Sequence, residues 1–238
     1  MIYYLLFAPL IAAIVCLFFK NNTILGIISV IATGFEFGLI IYVSNIVFTA
    51  GSINQDTWFV DGLSAYVLLI IGFITLLVSI YSIGYLNNRL QNDVITPKKV
   101  RIYYVTFHIF NAAMVLALIS NNLGVMWVAL ETTTLVSAVL VAIYDTRASI
   151  EAAWKYIIIC SVGMMLALLG TIFIYATSIG ALGESEHAFN WTFIVENAAN
   201  LDPKTLKLAF VFIFIGFGTK IGFVPMHTWL PDTYSQAP

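Results

Sequence analysis

The sequence predicts an all-α fold, a polytopic bundle of about seven transmembrane helices with the seventh one broken. Three observations predict it. Of 238 residues, 61% are hydrophobic and 9% are charged, against about 25% charged in an ordinary soluble domain. The apolar residues fall into long runs separated by short polar breaks. A mean hydropathy of +0.97 leaves more apolar surface than a water-soluble domain can hide, so the solvent is lipid.

The first run, 2–19, is apolar throughout and lacks the basic leader of a secretory signal, so it reads as a membrane helix. It is a little short for about 30 Å of hydrocarbon but within the range of spanning helices. The second run, 23–49, follows Lys20-Asn21-Asn22 and carries Glu36 in its middle. The third, 63–86, follows the polar stretch Gly51 to Asp61, and the fourth, 102–120, follows Asn87 to Arg101. Asn121-Asn122 opens the fifth, 122–144, and Asp145-Thr146-Arg147 separates it from the sixth, 152–178. The seventh, 205–229, comes after Gly180 to Lys204. No repeat of 20–50 residues is visible within this length.

Orientation follows from lysine and arginine in short loops. One set of loops carries Lys20, Arg89, Lys98, Lys99, Arg101 and Arg147. The other carries only Lys204 and Lys207, beside Asp56, Asp61, Glu184, Glu186, Glu196 and Asp202. The basic set is expected in the cytoplasm, which puts the N-terminus outside in a multi-pass protein of the inner membrane.

Composition also excludes several function classes. Net charge is −2 with no basic run, which argues against nucleic acid as a partner. The two cysteines, Cys16 and Cys160, are far apart in apolar runs and read as packing residues, not as a disulfide or cluster framework. The glycines between Gly216 and Gly222 lack the strand–turn–helix setting of a nucleotide site. No cofactor is expected in this chain.

The residues that point to chemistry are charges inside apolar runs. Glu131 lies in the fifth run and Lys220 in the seventh. An ionisable group at bilayer depth costs about 3 kcal/mol on insertion scales and usually faces a protein interior or a water-filled path. A carboxylate and an ammonium on separate helices suggest a proton or cation route. Gly216, Gly218 and Gly222 surround Lys220 and Pro225 follows, which predicts a break with freed carbonyls beside the lysine. The alternative is that the glycines only permit close packing and Lys220 snorkels to an interface. The apolar run continues through Trp229, which keeps the lysine deep.

Arg101, Tyr104, His108 and Asn111 fall on one helical face of the fourth run. Lys220 and His227 are seven apart and share a face unless the kink rotates it. His108 is either a proton relay or a neutral imidazole bridging helices, and both readings stay open. Lys155 has Glu151 four residues earlier, the spacing of a structural ion pair. Glu36 has no obvious partner, and reads as a lateral proton station or as a pair with another subunit. Thr132, Thr133 and Thr134 can satisfy carbonyls or solvate the Glu131 carboxylate.

The run Gly218-Thr219-Lys220-Ile221-Gly222-Phe223-Val224-Pro225-Met226-His227-Thr228-Trp229-Leu230-Pro231-Asp232 resembles the signature of the antiporter-like membrane subunits of respiratory complex I. That family includes Mrp-type cation/proton antiporters and the membrane arms of energy-converting [NiFe] hydrogenases. Met126 to Leu135, with its Trp127 and Glu131, is similar to the family's glutamate-bearing fifth helix. Ala148 to Tyr156 followed by Cys160-Ser161-Val162-Gly163 looks most like hydrogenase-4 component F. The resemblance covers about residue 100 onward, and the first three runs match only in hydropathy. Met164 stands where some relatives carry a second acid.

The resemblance implies that Glu131 and Lys220 are the coupled pair of a proton half-channel, that Lys155 lies on the path toward the cytoplasm, and that His227 opens the next helix. His108 joins this proton-translocation set, with Glu36 and Arg101 as accessory positions. It implies a division into residues 1–100, the first three helices, and 101–238, the start of an antiporter-like repeat. Family members have about fourteen helices in inverted repeats, so the chain is expected to be an N-terminal fragment. The implied partners are other membrane subunits, peripheral [NiFe]-hydrogenase or NADH dehydrogenase-type redox subunits, the bilayer, and protons, with Na+ as the alternative ion. The expected function is proton translocation in a hydrogenase or formate-hydrogenlyase-like complex. The alternatives are complex I, an Mrp-type antiporter, and a non-conducting scaffold.

Overall fold

Each polar break in the sequence supplies the cap of the helix that follows it. A computed structural model describes residues 2–183 and 185–238, without the side chain of Leu182; Glu184, counted above in the acidic loop set, lies outside the described residues. Helix α1 (Ile2–Phe18) ends before Lys20. Helix α2 (Asn22–Ala50) is capped by Asn21, whose side chain accepts from the amides of Thr23 and Ile24. Asp61 caps α3 (Gly62–Gln91), and Thr96 caps α4 (Pro97–Ile119), which has proline in its first turn. Asn122 caps α5 (Leu123–Val141), which runs on through a 3-10 turn at Ala142–Tyr144. Thr146 caps α6 (Arg147–Leu182), the longest helix at 36 residues. The short α7 (Trp191–Glu196) precedes α8 (Pro203–Ile221), capped by Asp202, and α9 (Trp229–Gln236) follows.

Among the described residues the bundle is all-α apart from one hairpin and two isolated bridges, Trp58 with Ser120 and Asn122 with Asn190. Strand β1 (Ile53–Gln55) pairs antiparallel with β2 (Trp58–Val60), with Ile53 opposite Val60. The sequence reading takes this stretch as a loop; two three-residue strands are too short to show an alternating pattern. Among the described residues, α2, α3, α4, α5 with its 3-10 turn, and α6 are long and apolar enough to cross a membrane. Helix α1 is apolar but has 17 residues, and α8 has 19 with Lys204, Lys207 and Lys220 in it.

The seventh run is two pieces. Helix α8 stops at Ile221 because Gly222 turns left-handed, at φ 89° and ψ 39°, and its amide and that of Phe223 return to the Gly218 carbonyl. The expected break is present, but it falls directly after Lys220, and the chain resumes as a helix only at Trp229.

Two apolar clusters mark the ends of the bundle. One gathers Ile2, Val47, Trp58, Val60, Ala65 and Ile119 around the hairpin. The other gathers Cys16, Leu25, Leu86, Ile95, Val100 and Ile143 at the opposite ends of the same helices. The outer faces carry large apolar side chains such as Ile31, Phe35, Met165 and Phe210, which is what lipid as solvent requires. Helices α6 and α8 approach closely where Gly163 faces Gly216, and a Cβ on Gly216 would sit 2.5 Å from the Gly163 carbonyl oxygen.

Candidate functional site

The end of α8 delivers Lys220 to the middle of α5. Its ammonium donates to the Leu130 carbonyl at 2.8 Å, to Thr133 Oγ1 at 3.0 Å and to Thr134 Oγ1. Residues 130, 133 and 134 share one face at steps of three and four, and Leu130 is the eighth residue of the 19 in α5. Lys220 is thus held mid-helix between elements, not snorkelled past the end of the bundle. The hydroxyls of Thr133 and Thr134 solvate the ammonium, where the sequence reading allowed the carboxylate; Thr132 turns to the Val128 carbonyl.

Glu131 points from the next position of α5 toward α6. Its Oε1 accepts from Ser161 Oγ at 2.6 Å, while Oε2 is buried with no hydrogen-bond partner among the described residues. No ion pair within 4.0 Å joins Glu131 and Lys220; the pairs among the described residues are Lys99–Asp145, Lys155–Glu151, Lys155–Asp232 and His187–Asp56. The two charges therefore flank the same stretch of α5 without direct contact. An ammonium on three oxygens and a carboxyl with one free oxygen is an arrangement that can change partners.

Near the start of α6, Lys155 bridges Glu151 and Asp232, each at 2.8 Å. The anticipated i,i+4 pair is present, and Asp232 adds a tie from α9. Trp229 completes that tie, donating from Nε1 to the Thr219 carbonyl and packing on Tyr156 with ring centroids 4.8 Å apart. His227 lies in the turn ahead of α9, its Nδ1 buried and without a partner among the described residues. The face shared by Lys220 and His227 does not exist, because the helix stops between them at Ile221.

His108 and Glu36 belong elsewhere. His108 is buried on α4 and bonded through Nε2 to Ser29 Oγ of α2 at 2.7 Å. Glu36, without a visible partner in the sequence, receives the Asn111 side-chain amide at 2.5 Å. Of the predicted α4 face, Tyr104, His108 and Asn111 are buried and Arg101 is half-buried at its first turns. None of these is hydrogen-bonded to Glu131 or Lys220. Sequence reasoning missed Ser161, Asn111 and Asp232 as partners; Asp232 closes the glycine–lysine–tryptophan motif and was the one with a signal.

Comparison with known proteins adds the family. Residues 120–238 match the transmembrane domain described as NADH:quinone oxidoreductase/Mrp antiporter. The chain belongs to that family. Residues 48–91 also match the N-terminus of complex I chain 5, so the likeness extends into the early helices that resembled the family only in hydropathy. A hydrogenase-4 component F homolog of Methylacidiphilum infernorum is 38% identical over 179 residues, 75% of this chain and 38% of that protein. The fold is also that of a chain of the archaeal membrane-bound sulfane sulfur reductase, with TM-score 0.83 at 20% identity over 100% of this chain and 48% of that one. A chain of respiratory complex I from Thermus thermophilus superposes with TM-score 0.74 at 19% identity, over 98% of this chain and 48% of that one. The chain thus spans less than half the length of these relatives.

Proposed function

We propose that this chain is a proton-translocating membrane subunit that couples electron transfer in partner subunits to proton movement, in a complex of the energy-converting [NiFe]-hydrogenase or formate-hydrogenlyase type. The observation that carries the reading is the Lys220 ammonium in its cradle of Leu130, Thr133 and Thr134, one residue from the half-satisfied Glu131 carboxyl. The identity to a hydrogenase-4 component F homolog supports the hydrogenase setting. A complex I or Mrp-type antiporter subunit is the second reading, supported by the family match over 120–238.

The step is electrostatic. With Lys220 in its cradle, the ammonium neighbours Glu131 through the α5 backbone; when Lys220 swings to Glu131, a unit pair at about 4 Å and effective dielectric near 20 gains roughly 4 kcal/mol. Moving one proton against roughly 180 mV costs about 4 kcal/mol. One exchange of partners is thus of the size needed to gate one proton. Glu131 takes the proton when Lys220 leaves and yields it when Lys220 returns, with Ser161 holding the carboxyl in place. Lys155, at the Glu151–Asp232 end, would receive the proton route toward the cytoplasm, and His227 would flank it.

The test is purification through this chain in mild detergent, assays of hydrogen- and NADH-dependent dye reduction, and reconstitution in vesicles. Hydrogen-dependent activity with proton uptake is expected, and Glu131→Gln should keep part of the dye reduction while losing the uptake. NADH-dependent activity alone moves the chain to complex I, and undiminished uptake in Glu131→Gln overturns the mechanism.

A further inference from the structure

A second polar seam runs between α2, α3 and α4, apart from the Glu131–Lys220 site. Helix α2 contributes Ser29, Thr33 and Glu36, at steps of four and three along one face; α3 contributes Thr75, Ser79 and Ser82 at the same steps; α4 contributes His108 and Asn111. All eight are buried, Glu36 at 2% exposure and His108 at 0%. Cross-helix bonds stitch them in order: Asn111 Nδ2 donates to Glu36 Oε2, Thr75 donates to Asn111 Oδ1 at 3.4 Å, Thr33 meets Ser79 at 2.8 Å, and Ser29 meets His108 at 2.7 Å. Ser82 and Tyr103 continue the seam at 2.8 Å toward the basic end of the bundle. From Glu36 to Ser29 the seam climbs about 10 Å along α2.

The carboxyl at its inner end is unusual in what surrounds it. Oε1 of Glu36 is buried with no partner among the described residues, and so is Nδ1 of His108. The side chain bonded to Glu36 is the neutral amide of Asn111 from α4, itself bonded to Thr75 of α3. Thr33 and Ser79 pair further along the seam, and His108 lies one turn from Asn111 on α4. No lysine or arginine forms an ion pair with it among the described residues. A buried carboxylate with a single amide donor is far more costly than a buried carboxylic acid. An N–H aimed at the carboxyl also disfavours a metal cation there, which would want oxygen lone pairs. Packing alone gives no reason for an ionisable group, since glutamine would make the same bond to Asn111.

We propose that Glu36 is a second proton-exchange site, separate from Glu131, with the Ser29–His108 seam as its route to the basic end. On uptake a proton enters from the medium by way of the seam, and an N–H bond at His108 Nδ1 breaks as the O–H bond forms at Glu36 Oε1. On release the O–H bond breaks, the proton returns to His108 Nδ1 and leaves to the medium by the same route. No electron transfer or co-reactant is needed. The site would serve the same membrane complex as Glu131, but its existence does not depend on which complex that is.

Infrared spectroscopy of the complex purified through this chain, perfused with H2O and then D2O, tests it. The expected result is a deuteration-sensitive carboxylic-acid C=O band that persists in Glu131→Gln and is lost in Glu36→Gln. In Glu36→Asp, which keeps a carboxyl, the same band should move and not vanish. Vesicles containing Glu36→Gln should also show less proton uptake at equal dye reduction. Spectra of both Glu36 variants that superimpose on the parent overturn the proposal, as does full proton uptake in Glu36→Gln. Should one variant fail to accumulate, the other decides by the band alone. Failure of Glu131→Gln to lose uptake would sink the mechanism above and leave this result standing.

Discussion

An ammonium that has left water must find its solvation among protein oxygens. At Lys220 three oxygens do this, one backbone carbonyl and two threonine hydroxyls on consecutive positions of α5. Hydrogen bonds to a charged group are worth about 1.5–3 kcal/mol each, so removing both hydroxyls should be felt. In Thr133→Val/Thr134→Val we expect proton uptake by reconstituted vesicles to fall steeply and the melting temperature of the purified complex to drop, with Thr133→Ser/Thr134→Ser restoring both. Wild-type uptake in the valine pair would mean that the cradle has no part in conduction. The charges themselves were legible in the sequence because Glu131 and Lys220 interrupt apolar runs. Their hydroxyl partners were not, because serine and threonine are at home in membrane helices, where most bond to their own backbone, as Thr106 and Thr171 do here. Nothing in the composition separates those from Ser161, which reaches across to another helix.

For whole helices, the sequence locates every apolar core and places five of the seven starts within two residues, missing those of the fourth and sixth runs. The fourth run was read from 102 and the sixth from 152, whereas α4 begins at Pro97 and α6 at Arg147. The reason is physical: a capped helix begins at the polar residue that satisfies its first amides, several residues before hydropathy rises. Close approach between helices is likewise written in glycines, and its cost can be measured. A Cβ on Gly216 meets the Ala167 amide nitrogen and the Gly163 carbonyl oxygen at 2.5 Å each, backbone atoms that move only if α6 and α8 part. Gly216→Val is expected to destabilise the purified chain by about 1–3 kcal/mol, read as a lowered thermal midpoint. Gly84→Ala, where nothing lies within 4 Å of the added carbon, serves as the control and should melt as the parent does. Equal melting of the two would show that the α6–α8 contact is not close in the membrane.

Across the molecule, charge separates the two ends of the bundle. The loops with Lys20, Lys98 and Lys99 lie at one end, where Lys99 bridges to Asp145 at 2.7 Å. The hairpin, Asn121 and the segment before α7 lie at the other, tied by Asn121 to the Asp56 carbonyl and by His187 to the Asp56 carboxyl. Single cysteines placed at the exposed Asn92 and Asn54 report which end is which. A membrane-impermeant maleimide should label Asn54→Cys in spheroplasts and Asn92→Cys only in inverted vesicles; the reverse pattern would refute the orientation argued from lysine and arginine. The alternation of strongly apolar runs with charged loops made this much of the architecture readable. The grouping of Glu36 with Asn111 is not readable, because the two are 75 residues apart in the chain; the motif flags Asp232 itself, but not its pairing with Lys155, 77 residues away.

Helix α6 also bears on how the protein meets the thickness of its bilayer. Its 36 residues span about 54 Å at 1.5 Å per residue, against about 30 Å of hydrocarbon. Even a lean of about 40°, the upper end of what membrane helices adopt, would immerse only about 26 residues. Roughly ten residues of α6 therefore stand outside the oil, wherever the bundle settles. The polar first turns that carry Glu151 and Lys155 are suited to that place, so the clasp on Asp232 belongs to the headgroup layer, where lipid composition and ionic strength can loosen it without touching the apolar interior.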